Sequence, residues 1–185
     1  MTYEEFEKHM AEKYPRYCGE HSQFGGFAIG EGWYHIIESL IAHIDHYTKW
    51  KRSMRAHQLR LARAKAKGRD VLLKHICKGK EPRHWEEERA DEIMNNPIVV
   101  TPKVDWVRIA QIKEKFGGLR FYYDGGDDQI SGFVDMAELW AGHSCEQCGN
   151  KGHRRDGGWV RTLCDTHEAE YQERMAKMKS EDDDV

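Results

Sequence analysis

The chain has 185 residues, 39% of them hydrophobic and 33% charged, with six Trp, eight Tyr and six Phe; that is enough for one sizeable core with a small satellite and argues against global disorder. No apolar run approaches the ~20 residues of a membrane helix, and the acidic start "MTYEEFEKHMAEKY" lacks the basic and apolar regions of a secretion signal. The net charge of −3 averages over segregated blocks, and five cysteines, three of them crowded into one segment, suit metal binding in a reducing cytosol better than a disulfide framework.

In chain order, residues 3–14 read as a short helix with Tyr3, Phe6 and Met10 on one side, and residues 15–32 as a Gly-rich irregular stretch. Trp33, Ile36, Ile37, Leu40, Ile41 and Ile44 then recur at helical spacing, a stripe that must face a core. The helical pattern continues but changes character. From Lys49 to Lys80 there are twelve Lys/Arg against one acid, Asp70, a local charge of +11. Unbroken from Trp33 to Lys67, this helix would be roughly 50 Å long at ~1.5 Å per residue. Gly68 is its expected break, and "RDVLLKHIC" reads as a further helical piece. After Pro82, "RHWEEERADEIM" reads as a short acidic helix closing a helical hairpin, with Glu86, Glu87, Glu88 and Glu92 near the Lys/Arg face.

"NNPIVVTPK" is a linker or strand lead-in. Residues 104–124 predict a β-hairpin turning at Gly117-Gly118. Residues 128–142 predict a second amphipathic helix, its apolar positions Ile130, Phe133, Val134, Ala137, Leu139 and Trp140. Trp33, Trp106, Trp140 and Trp159 are expected in the core, given their apolar neighbours. The expected organisation is an α+β core over 1–47 and 97–143, amphipathic helices packed on the hairpin. A basic helical insertion occupies 48–96, a zinc-binding module 144–179, and a disordered acidic tail 180–185.

The segment "SCEQCGNKGHRRDGGWVRTLCDTHEAEY" carries Cys145 and Cys148 with two residues between them, then Cys164 and His167 at the same spacing. Four soft or borderline ligands at this spacing suit one tetrahedral Zn2+. Gly149 fits a tight knuckle after Cys148, Gly157-Gly158 a turn, and "DTHEAEYQERMAKMK" a helix starting near Asp165 or Thr166. Knuckle, hairpin and ligand-bearing helix together predict a treble-clef finger. Four protein ligands leave no open position, so the zinc would be structural. His143 and His153 are weaker alternative ligands, lacking the complementary spacing. Cys18 and Cys77 stand alone and read as ordinary thiols.

"FGGFAIGEGWYHIIESLIAHI", "IAQIKEKFGGLRFYYD", "AELWAGHSCEQCG" and "GWVRTLCDTH" together resemble a family of small uncharacterised proteins carried mainly by tailed bacteriophages and prophages. The resemblance covers residues 14–46 and 104–171, about half of the chain. It implies a phage context, hence the host bacterial cytoplasm, and no particular chemistry. The basic stretch between about Thr48 and Asn96 departs from that pattern.

For function, the basic stretch is the electrostatic footprint of a nucleic-acid binder. Lys49, Lys51, Arg52, Arg55, Arg60, Arg63, Lys65, Lys67 and Arg69 are the candidate contacts to DNA or RNA, with Trp50, His57 and Arg55 adding stacking or groove contacts. The alternative is a module that binds a host protein, with the long helix as docking arm; the insertion would also offer a dimerisation surface. A metal-dependent nuclease ranks lower. Asp124, Asp127 and Asp128, near Lys113, Glu114, Lys115 and Arg120, would be its second metal site, but acids at a helix start need no such explanation. A nuclease built on the finger would need a second helix His where Glu168 stands, leaving His153 alone. No nucleotide-binding, zinc-protease or hydrolase motif is present, and no catalytic residue is assigned.

Overall fold

The computed structural model describes residues 1–156 and 159–183, so the expected Gly157-Gly158 turn and the last two residues of the acidic tail lie outside the described residues. The elements are α1 Tyr3–Lys13, α2 Pro15–Cys18, β1 Phe27–Ala28, a 3-10 turn Glu31–Trp33, α3 Tyr34–Ala66, α4 Arg69–Ile76, α5 His84–Asn95, β2 Asp105–Lys115, β3 Gly118–Gly126, α6 Asp128–Ala141, β4 His153–Arg155, β5 Arg161–Leu163 and α7 Asp165–Asp183. This mixture of helices and small sheets is α+β, as the sequence predicts. The chain forms two compact units, Met1–His46 with Asp105–Val185, and Tyr47–Val104. The Cys/His segment belongs to the first of these. The second reaches past the expected end of the basic insertion because residues 97–104 are tied to its own helix. Arg52 donates to the Val104 carbonyl at 2.9 Å, Arg55 donates to the Thr101 carbonyl, and the Gln58 side-chain oxygen accepts from the Thr101 N–H at 2.9 Å.

In the first unit a three-stranded sheet runs in the order β1-β2-β3, with β1 parallel to β2 and β2 antiparallel to β3. β1 lies in the stretch read as irregular; two residues are too few to show alternation. The apolar stripe of α3 meets expectation, with Trp33, Ile36, Ile37, Leu40, Ile41 and Ile44 all 5% exposed or less. Each such side chain contributes ~1.5–3 kcal/mol by leaving water. Phe6 and Met10 of α1, Ile109 and Ile112 of β2, Leu119 and Phe121 of β3 and Ile130 and Val134 of α6 are buried in the same unit.

Three sequence expectations are corrected. The hairpin turns at Phe116-Gly117, one residue earlier than predicted, because Lys115 pairs with Gly118. Both turn residues take positive φ, 54° and 75°, the geometry that matches strand twist in a two-residue loop. The exposed Phe116 accepts it, and the Glu114 carboxylate caps the turn by accepting from the Gly117 N–H at 2.6 Å. Trp140 and Trp159 are not core: they are 61% and 62% exposed. The buried face of α6 is Ile130, Val134, Ala137 and Ala141; at about 100° per residue, Leu139 falls on the opposite face and Trp140 on its flank. Finally, the ion pairs of Glu86, Glu88 and Glu92 are local and do not reach α3, while Asp91 of α5 meets the basic block at Arg69 of α4. Glu86 binds Arg83, Glu88 faces His84, and Glu92 takes Arg89.

The second unit is built from the end of α3, then α4 and α5, around buried Ala64, Leu72 and Ala90, with Leu61, Leu73, Ile76, Ile93 and Met94 packed on them. Gly68, at φ 108°, breaks α3 from α4 as expected. This core is small, and polar ties supplement it. The Lys65 ammonium donates to the carbonyls of Ile93 and Asn96 at 2.9 and 2.7 Å, and Arg69 pairs with Asp91.

Candidate metal centre

Cys145 and Cys148 follow α6 on a loop that turns back at Gly149, whose φ of 75° suits glycine. The Gly149 N–H donates to the Cys145 carbonyl at 2.8 Å. Cys164 leaves β5 and its carbonyl accepts from the Glu168 N–H at 2.9 Å, starting α7; His167 sits in the first turn. Cys145 Sγ is 3.4 Å from His167 Nδ1, Cys164 Sγ is 3.3 Å from the same nitrogen, and Cys148 Sγ is 3.9 Å from Cys164 Sγ. All four ligand atoms lie within 4.8 Å of one another. A tetrahedral ion with metal–sulfur bonds of about 2.3 Å and a metal–nitrogen bond of about 2.0–2.1 Å needs ligand edges of about 3.5–3.8 Å. The three distances of 3.3, 3.4 and 3.9 Å bracket that range. A disulfide needs about 2.05 Å, and all five cysteines are free thiols. The set can hold a metal ion.

The electrostatics suit a cation. Burial pushes the Cys145 thiol up, but backbone N–H groups of Cys164, Cys148 and Gln147 outweigh it and the net shift is downward. Desolvation and the neighbouring thiols of Cys145 and Cys164 push Cys148 up, since adjacent thiolates repel. A divalent ion removes that repulsion and releases the protons.

What positions the knuckle was missed in the sequence. The Gly32 N–H donates to the Glu146 carbonyl at 2.8 Å, and the indole N–H of buried Trp33 donates to the Ser144 carbonyl at 2.8 Å. A Cβ on Gly32 would stand 2.2 Å from the Cys145 carbonyl oxygen, and one on Gly30 2.3 Å from that of Glu146. "GEGW" is therefore a cradle for the Cys145–Gly149 loop, with glycines where backbone meets backbone. From the other side, the Glu146 N–H donates to the Thr162 carbonyl at 2.9 Å, and the buried Thr162 hydroxyl donates to the Gly117 carbonyl at 2.6 Å. The sequence signal was the Gly-x-Gly-Trp run itself, which carries no periodicity to say what it touches.

His143 and His153 stay outside the ligand set, and among the described residues Asp124, Asp127 and Asp128 form no comparable grouping. Asp127 instead caps α6, accepting from the Ile130 N–H at 3.2 Å. Arg120 pairs with Glu138 at 3.3 Å. Cys18 and Cys77 are buried and not in the ligand set; burial pushes the Cys18 thiol up to about 12, which disfavours the reactive thiolate.

The nine predicted nucleic-acid contacts divide by what they touch. Arg52, Arg55 and Lys65 donate to carbonyls within the second unit and Arg69 binds Asp91. Lys51 lies over the Tyr47 and Trp50 rings at 5.5 and 5.8 Å. Lys49, Arg60, Arg63 and Lys67 are exposed. The second unit carries fifteen Lys/Arg against seven Asp/Glu, net +8, and the first fourteen against twenty-five, net −11.

Comparison of the chain with protein-family models, curated proteins and solved structures finds no match.

Proposed function

We propose that the protein binds nucleic acid through its second unit, and that Cys145, Cys148, Cys164 and His167 hold one structural Zn2+ in a treble-clef-like finger. The observation that carries the first part is charge segregation: the net +8 of Tyr47–Val104 is set against −11 elsewhere. A polyanion binds the field of that unit and not the chain average. Cations that donate to carbonyls keep their charge, and exposed Arg60, Arg63 and Lys67 are available to phosphates. Zinc is supported by the donor chemistry, three thiolates and an imidazole at tetrahedral spacing. The finger is supported by the sequence of knuckle, β4–β5 hairpin and α7. With four protein ligands the ion stabilises and does not catalyse. The phage setting, and with it the host cytoplasm, rests on the motif resemblance; no helix of the described chain is long and apolar enough to cross a membrane.

The test is titration of labelled DNA and RNA at increasing salt. Log K should fall linearly with log salt, by about 0.9 per duplex phosphate neutralised and about 0.7 per single-strand phosphate. Charge reversal at Arg60, Arg63 and Lys67 should flatten the slope. Absence of binding at low salt overturns the reading. One observation favours a second reading, capture of a host protein. Met136 and Trp140 are exposed on α6 and line a cleft of about 370 Å3 together with Ile36, Leu40 and Phe133. Loss of a lysate partner on Trp140→Glu would support it.

A further inference from the structure

The second unit contains a cleft of about 590 Å3, between the end of α3, α4 with the turn that follows it, and α5. Arg60, Lys74, Lys78 and Arg89 line it together with Trp85, and no Asp or Glu does. Leu61, Ile76 and Ile93 supply apolar wall continuous with the unit's core. The volume is that of a small-ligand pocket and far below that of a duplex.

Trp85 is 53% exposed, an expensive place for so large an apolar ring. It is also held. The Arg83 guanidinium lies over the ring at 4.6 Å, and Glu86, nearly buried, fixes Arg83 through a 3.0 Å pair and accepts from the Arg83 backbone N–H at 2.8 Å. That pairing keeps the Glu86 carboxyl below its ordinary range and spends its charge on Arg83. Arg89 is paired with Glu92 at 2.7 Å, while the side-chain cations of Arg60, Lys74 and Lys78 make no hydrogen bond or ion pair among the described residues.

An ordered, exposed indole beside three unpaired cations, in a cleft of nucleotide size, is a platform for one unstacked base with phosphates on either side. A duplex offers only its phosphates to such a site, because its bases are stacked inside. We infer that the cleft binds single-stranded nucleic acid, stacking a base on Trp85 and placing the backbone against Arg60, Lys74 and Lys78. Exposed Arg63 and Lys67 extend the positive surface beyond the cleft, as a strand requires and a free nucleotide does not. The inference rests on the nucleic-acid reading and names its ligand class.

The test is fluorescence anisotropy of the zinc-loaded full chain at low salt. The probes are labelled oligothymidylate, labelled oligouridylate, each of about twenty nucleotides, and a duplex of similar length, with thymidine monophosphate as competitor. Base stacking of this kind is worth about fivefold to a hundredfold per base. Trp85→Ala is expected to weaken both single strands by about tenfold and to leave the duplex within about twofold. Trp85→Phe should restore the strands, and Lys74→Glu with Lys78→Glu should weaken every probe. The DNA and RNA arms then report which strand is preferred. If Trp85→Ala binds the strands as wild type does, or loses strand and duplex alike, the cleft inference is overturned and the nucleic-acid reading stands. The same holds if thymidine monophosphate competes as well as the strand per mole. If wild type binds no probe, both fail.

Discussion

Phe116 is the one non-glycine of the described hairpin turn that must hold positive φ, a conformation that costs an L-residue ~1–2 kcal/mol. Asparagine tolerates it, and Asn-Gly is the preferred pair for such a turn. Phe116→Asn should therefore raise stability by about 1 kcal/mol, or about 2–4 °C in Tm for a chain of this size, by calorimetry on metal-loaded protein. A lower Tm would mean that the exposed ring has packing the turn geometry does not explain. Glu38 offers a titration test. Lys13 at 2.6 Å, then His9 at 2.9 Å, hold its carboxyl below the ordinary value against partial desolvation. A depressed folded pKa contributes stability that is present above the unfolded value of about 4.3 and disappears as pH falls through the folded one. Its partners are half exposed, so Glu38→Gln should cost only about 0.5–1 kcal/mol near neutrality. The two stability curves should converge below about pH 4.

At the scale of elements, the knuckle is set by what it leans on. Gly32→Ala drives a Cβ into the Cys145 carbonyl and the Gly149 nitrogen, at 2.2 and 2.4 Å, so backbone must move. Overpacking of this kind costs about 1–3 kcal/mol, and a chelator competition should show metal affinity lower by about tenfold or more. Gly132→Ala is the control: its Cβ meets nothing within 4 Å on the exposed side of α6, and it should stabilise the helix by about 0.5–1 kcal/mol with metal affinity unchanged. Equal effects from both would show that the cradle does not set the site. These elements also show what was legible. The α3 stripe and the ligand spacing could be read directly, because helical period and the two-residue intervals are local signals. The cradle could not, because a glycine's need for close approach depends on a partner more than a hundred residues away.

For the whole molecule, metal removal should act unevenly. The Cys/His cluster ties Cys145–Gly149 to the start of α7, whereas Leu61 to Met94 have their own apolar cluster and no ligand. Chelation should therefore raise amide exchange across residues 144–171 and leave α4 and α5 unchanged, as read by hydrogen–deuterium exchange. Uniform deprotection would instead mean that the metal supports both units. The charge asymmetry belongs to the same scale. A chain of net −3 that nonetheless carries +8 in one unit is repelled or attracted by a polyanion according to which unit is met, so encounter rates should fall steeply with salt.

Sequence alone determined the class of the molecule, the buried face of α3, the four metal-ligand candidates and the basic block, all of which rest on residue type and spacing within one segment. Only tertiary structure decided which cations remain free, since Arg52, Arg55 and Lys65 meet backbone carbonyls 28 to 52 residues away. It alone placed Trp85 beside Arg60, Lys74 and Lys78. Local pattern specifies which face of an element avoids water; which groups from different elements share a space follows from how those faces pack.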